Sequence, residues 1–569
     1  MASQAQSGNG RSQELALAAA VAVAIAVFSL VPMLRLLRET VAPAGGLSLT
    51  VVEAGLASRA TWVAAVNSLV VGVCGTVLAV ALGTAVALVV TLTDMRGRGA
   101  FILCFVMPLM IAPQVTALAW LQLFGPASPF LKLIGLAPPM GSRNPLYSPG
   151  GIVLLLGVQY APLVFLLVRA GLRRLPRELI EAARAAGAGP FTVARTVVLP
   201  LMTPSIMAAA ALAFVSCVGN FGIPAFLGIP ANYLVLPTLI YQRLAGGGPA
   251  ALGEAAFLSV LIGAIAMAGI LAQEKMSRRR DYRSFASSLA GEPYALGRWR
   301  VAVEAAMWAL IAVILVLPLC GLVLSSLVPA YGVPLSAATA TLDNYRFVMV
   351  EHAASRRAFA NSLGLSLSAA VFAVFAALPI AYVVAWGRQG WVRLVNLCIE
   401  LPYALPGVVL AIAALLLFLK PLPLTGLHIY NTVWIILYAY LARFLVLAVR
   451  PTVSGLHQID RALEEAAQVA GAGLFARLRG IVFPLVAPAA MAGGLLIFMT
   501  AFGELTVSAL LWSSGAETIG VVMFSFEQGG DSKYAAAISA LTVALTFALM
   551  VATNLFAGRL PRGVLPWRD

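Results

Sequence analysis

Charge is scarce in this chain. Only 10% of its 569 residues are Asp, Glu, Lys or Arg, against roughly 25% in a soluble domain, which excludes a water-facing surface for most of its length. Histidine is scarcer: His352, His428 and His457 are the three present, and none is paired at i, i+4. Metal-dependent hydrolysis is left without its usual ligands. The five cysteines (Cys74, Cys104, Cys217, Cys320, Cys398) lie in or beside apolar stretches without C-x-x-C spacing, so neither a disulfide framework nor a zinc site is expected. No G-x-x-x-x-G-K-[ST] loop occurs, and the glycines of "AGGGPAALG" at 245–253 lack the Lys and Ser/Thr that hold phosphate and magnesium. No catalytic residue and no metal ligand is assigned.

What the chain has instead is apolar length: 61% of it is hydrophobic, and about 20 apolar residues suffice to cross a bilayer as a helix. The runs predict an all-α polytopic membrane protein with about 12 transmembrane helices. The first six lie near 15–34, 64–92, 100–124, 150–170, 205–228 and 254–272. The second six lie near 301–328, 362–386, 394–419, 430–449, 489–512 and 535–557. The first run has no basic leader or cleavage site and reads as a retained helix. The net charge of +15 collects in alternate connections such as "TDMRGRG", "EKMSRRRDYRSF" and "GRLPRGVLPWRD". That is the positive-inside bias, not a nucleic-acid footprint, and it puts both termini in the cytoplasm.

One cytoplasmic phrase occurs twice. "ELIEAARAAGAGPFTVARTVVLP" starts at Glu178 and "ALEEAAQVAGAGLFARLRGIVFP" at Ala462. The phrases share Glu181 with Glu465, Gly187 with Gly471, Phe191 with Phe475 and Pro200 with Pro484. "NSL" likewise recurs at 67–69 and 361–363, with Pro108 and Pro402 at equal distance beyond. Six helices separate the copies, an even number, so they run in the same direction: a parallel duplication. The halves are expected at 1–272 and 301–569, with repeated loops at 178–200 and 462–484 and a cytoplasmic linker at 273–300. Physically each phrase is a short helix, acidic near its N-terminus, alanine-rich within, and stopped by Gly187 or Gly471 at a positive φ. Asp460 is the expected cap of the second. Two such elements on one face suit a two-fold partner.

Glu-Ala-Ala, three residues, Gly, then a hydrophobic-Pro ending resembles the EAA loop of bacterial ABC-importer permeases, and the "NSL" segments fit that family too. The resemblance implies the type I importer fold, here with both halves fused on one chain, in the bacterial inner membrane. It implies that Glu181, Ala182, Ala183 and Gly187, with Glu465, Ala466, Ala467 and Gly471, dock two copies of a cytoplasmic ABC ATPase. ATP and Mg²⁺ would then be held by that partner, with no cofactor in this chain, and solute would arrive from an extracytoplasmic binding protein.

Polar residues inside apolar spans are costly and are functional candidates. Asn220 and Glu504 each follow their half's loop-ending proline by 20 residues, expected within the fifth and eleventh helices. There they line a pathway or hydrogen-bond between helices. "GNFGIPAFLG" and "FGELTVSALLWSSGAETIGVVMFSF" resemble ferric-iron importer permeases most, while related permeases handle thiamine, 2-aminoethylphosphonate, polyamines, or sulfate and molybdate. A secondary transporter with parallel repeats is the competing class; it would need membrane-embedded charge pairs where the reading above finds little beyond Glu504.

Overall fold

A computed structural model of the chain describes residues 2–42, 46, 48–248, 250–278, 294–387, 390–422, 426 and 428–556. Residues 279–293 of the expected linker and the tail from 557 lie outside them. In lipid every backbone N–H and C=O must be paired within the protein, and the described residues answer with helices and one isolated bridge between Thr93 and Tyr294.

The first half runs α1 (Ser12–Val41), α2 (Arg59–Leu92), α3 (Arg98–Met110), α4 (Pro113–Phe124), α5 (Pro149–Leu172), α6 (Arg177–Ala185), α7 (Pro190–Val218), α8 (Gly222–Leu227), α9 (Leu236–Ala245) and α10 (Ala251–Lys275). The second runs α11 (Gly297–Ser326), α12 (Ala353–Trp386), α13 (Val392–Ala404), α14 (Gly407–Phe418), α15 (Val433–Leu456), α16 (Ala462–Val469), α17 (Leu474–Phe502), α18 (Ser508–Leu511), α19 (Ile519–Gln528) and α20 (Ser532–Ala552). Ten of the described helices are long and apolar enough to cross a membrane, and twelve crossings result if two bent pairs count as one each.

Those bent pairs occupy the spans expected at 100–124 and 394–419, where Pro108 with Pro113 and Pro402 with Pro406 mark breaks in the sequence. α3 and α4 meet at 101°, α13 and α14 at 107°. Proline is the cause: the residue before a proline is pushed out of the helical region, and Ala112 (ψ 138) and Leu405 (ψ 149) precede Pro113 and Pro406 in extended backbone. Other prolines are absorbed rather than breaking the helix. Single π-turns at 26–30, 194–198, 312–316 and 478–482 each end two residues before a proline: Pro32, Pro200, Pro318 and Pro484. The widened turn accommodates the missing N–H and the ring.

Large side chains on the outside are apolar, as on α2 (Val66, Val70, Val73, Val77) and α12 (Phe372, Phe375), which suits a lipid-facing surface. Inside each half, small residues let helices close up: a Cβ on Gly83 of α2 would lie 2.5 Å from the Ala161 carbonyl of α5. The first helices cross over between halves. From α1, Arg35 Nε donates to the Leu416 carbonyl at 3.3 Å, Val27 O accepts from Tyr438 Oη at 2.6 Å, and Phe28 stacks on Tyr438. From α11, Trp308 meets Phe101 edge-on and Gly321 lies against Leu123.

Candidate functional site

The two repeated phrases fold alike. α6 and α16 each end in a glycine with positive φ, +85° at Gly187 and +86° at Gly471. The next N–H reaches back in both: Ala188 to the Ala183 carbonyl and Ala472 to the Ala467 carbonyl, each 3.0 Å. Gly187 N–H bonds the Arg184 carbonyl and Gly471 N–H the Gln468 carbonyl, completing the paired bonds of a glycine-terminated helix. Asp460 Oδ1 accepts from Ala462 N–H at 2.9 Å at the start of α16. Glu181, Ala182 and Gly187 are exposed and Ala183 half-buried; Glu465, Ala466, Gly471 and Ala467 repeat that order. Beside each helix stands an exposed phenylalanine, Phe191 at 78% and Phe475 at 76%.

Beneath these faces the loops are mounted differently. In the first, Ile180 and Val193 are buried among apolar neighbours. At the same places of the second stand Glu464, 3% exposed, and Arg477, 1% exposed, paired with each other. Arg477 Nη2 also meets Glu14 of α1 at 3.3 Å, Tyr382 Oη donates to Glu464 at 3.2 Å, and Leu474 N–H donates to Gln13 at 3.3 Å. The first loop is touched instead by the segment entering the second half: Arg184 lies over the Tyr294 ring, 4.9 Å from its centroid. Tyr294 is bonded to Leu92 and Asp94 through its backbone. The Leu296 N–H, donating at 2.8 Å, and Arg300 hold the Asp94 carboxyl below its usual range.

Deeper in the bundle, four breaks in the helices converge. Gly503 at the end of α17 packs on Ala112 at the α3–α4 bend, and its carbonyl accepts from Gln114. Gly219 at the end of α7 packs on Pro406 at the α13–α14 bend. Each half's bend thus meets the other half's break. Asn220 and Glu504 sit in these breaks, just past the helices in which they were expected, and both are buried. Asn220 Oδ1 accepts the Ile223 N–H at 2.9 Å, starting α8, and its Nδ2 donates to Tyr160 Oη at 2.8 Å. Glu504 accepts from the N–H groups of Val507 (2.9 Å) and Ser508 (3.2 Å), starting α18.

Glu504 also pairs with Arg443 of α15 at 3.0 Å, a residue that sequence reasoning missed. A lone arginine in the apolar run "LYAYLARFLVLAV" was the available signal. Arg443 lies across the start of α14 at Gly407, where a Cβ would displace the guanidinium. Its first-half counterpart, Gln159, donates to the Pro108 and Ile111 carbonyls at 2.7 and 3.1 Å and accepts from Thr116. Tyr403, last but one in α13, is 44% exposed although its charged neighbour is Arg443. The space beside the crossing is therefore not filled by protein side chains. The Glu464–Arg477 pair was also missed; comparing unlike residues at equal places in the two phrases would have found it.

Ten to twelve apolar spans among the described residues, a two-fold repeat with two like-built loops, and a polar crossing between the halves are the features of a membrane transport protein. The chain belongs to the family of binding-protein-dependent transport system inner membrane components, which matches residues 75–279 and 357–565, and it is an ABC-importer permease with both permease units on one polypeptide. Among curated relatives, a probable ABC transporter permease, y4fN, of Sinorhizobium fredii is 28% identical over 95% of both chains. The Fe(3+)-transport system permease FbpB 2 of Haemophilus influenzae is 24% identical over 83% of this chain and 85% of its own. A permease of Salmonella typhimurium named for 2-aminoethylphosphonate transport, PhnV, is 30% identical over 46% of this chain and 96% of its own. A chain from a bacterial ABC transporter involved in alginate import matches 46% of this chain and 93% of its own at 17% identity and a TM-score of 0.39.

Proposed function

We propose that this permease takes a solute from an extracytoplasmic binding protein and passes it to the cytoplasm by alternating access, driven by two copies of an ATPase subunit seated on α6 and α16. The observation that carries this reading is the pair of like-built, open helix faces, each with its exposed phenylalanine. ATP and Mg²⁺ belong to the partner, and both termini of the chain are cytoplasmic. Closure of the ATPase pair draws α6 and α16 together, and α7 and α17, which follow them, carry the motion to the breaks at Asn220 and Glu504. There the solute passes beside Tyr403 and Arg443, while Asn220 and Glu504 hold the broken helices in shape.

Ferric iron is the substrate we favour, on the relatives named for it. The second reading is 2-aminoethylphosphonate, which the Salmonella relative and the cationic Arg443 both favour. Thiamine, polyamines, sulfate and molybdate rank below these. To decide, the chain is co-purified with its ATPase and binding protein, and the ligand on the latter is identified by elemental analysis and mass spectrometry. Iron near one equivalent supports the first reading. An organic phosphonate replaces the substrate and keeps the machinery. Recovery without any ATPase revives the secondary transporter.

A further inference from the structure

The ion pair under α16 does not exist to hold the loop down. Ile180 and Val193 do that for α6 without charge, and a buried pair in general stabilises no more than an apolar pair of like volume. What Arg477 adds is reach. One guanidinium nitrogen takes Glu464 within the loop, and another takes Glu14 on α1 at 3.3 Å. Gln13 adds a second tie, to the Leu474 N–H, and Tyr382 of α12 closes the network on Glu464. α1 then runs up the second half, where Arg35 holds the Leu416 carbonyl of α14. α14 is the helix whose first residue, Gly407, makes room for Arg443 at the crossing.

We propose that Glu14, Arg477 and Glu464 form a positioning staple through which α1 receives the movement of the second docking loop and delivers it to α14. The three are positioning residues: none meets the solute or ATP. The first loop has a weaker counterpart in Arg184 over Tyr294, so the two ATPase sites are coupled to the crossing unequally. The inference rests on α16 being an ATPase-docking helix.

The test uses the full chain with its ATPase in lipid nanodiscs and the binding protein as it co-purifies, carrying its own ligand. Native mass spectrometry counts docked ATPase subunits, and Mg·ATP hydrolysis is measured with and without the binding protein. Glu14→Gln is the main variant, because Glu14 is partly exposed and the fold does not hang on it. Glu464→Ile with Arg477→Val installs the first loop's apolar pair. Both are expected to keep two ATPases, while the stimulation by binding protein falls about fivefold or more; Glu14→Asp restores it. Unchanged stimulation in both variants overturns the staple, and so does loss of an ATPase from Glu14→Gln, which would make the network a mount only. If the unaltered chain binds no ATPase, the docking reading fails first and the staple with it.

Discussion

The two halves share their punctuation and differ in their charges. Gly187 and Gly471 end α6 and α16 at nearly the same φ, and Pro200 and Pro484 follow the same π-turn. Yet Gln159 faces the first half's bend where Arg443 faces the second's. Asn220 starts α8 where Glu504 starts α18, and Ile180 with Val193 stand where Glu464 pairs with Arg477. At three places a neutral solution in one half is ionic in the other, although the helices begin and end alike or nearly so. Backbone geometry is therefore specified by proline, glycine and apolar pattern, while polar identity is free to vary once each buried donor and acceptor has a partner. One fused chain can use that freedom, because its two halves need not be alike.

The largest expected effect separates ionic from neutral at the crossing. Arg443→Met leaves Glu504 buried without its cation, and removing one partner of such a pair costs about 3–5 kcal/mol. Gln159→Leu strips a donor from two carbonyls, a loss of roughly 1–3 kcal/mol. Thermal unfolding of the two variants in detergent measures both, and equal losses would break the comparison. A smaller, matched effect is expected at α6 and α16. Alanine at Gly187 or at Gly471 forces an L-residue into the left-handed region at about 1–2 kcal/mol, and the two costs should agree because the φ values do. Amide hydrogen exchange at Ala188 and Ala472 reads them separately; a clearly larger loss at Gly471 would mean that the staple strains its own loop.

Much of this was legible in advance, for physical reasons that particular residues make plain. Twelve apolar runs were visible because a bilayer demands length, and the glycine stops because few residues adopt positive φ. The prolines near 113 and 406 marked breaks, but a hydropathy run cannot say that the chain turns by more than a right angle there. The helices carrying Asn220 and Glu504 were drawn too long for the same reason: the short helices after them are as apolar as what precedes. The crossing of α1 and α11 to opposite halves leaves no trace in local pattern, since lipid-facing and partner-facing valines look alike. Arg443 and Arg477 were both in view, and only three-dimensional pairing gave them meaning.

The smallest effect concerns the tie between halves beside α6, where Asp94 receives the Leu296 N–H and Arg300. These hold its carboxyl below the ordinary value of 3.8. A carboxyl whose folded pKa is depressed contributes stability that is fully present above the unfolded value and lost as pH falls through the folded one. Between pH 5 and 8 the tie should therefore be insensitive to pH, and exchange at the Tyr294 and Leu296 amides, corrected for intrinsic rate, should loosen only below about pH 4. Salt supplies the sharper contrast. The Asp94–Arg300 pair is open to solvent and is screened within about 10 Å at 0.1 M, whereas Glu464–Arg477 is closed to it. Raising salt should speed exchange at Leu296 and leave Leu474 unchanged; a matching response at both would mean that the two loops are mounted alike after all.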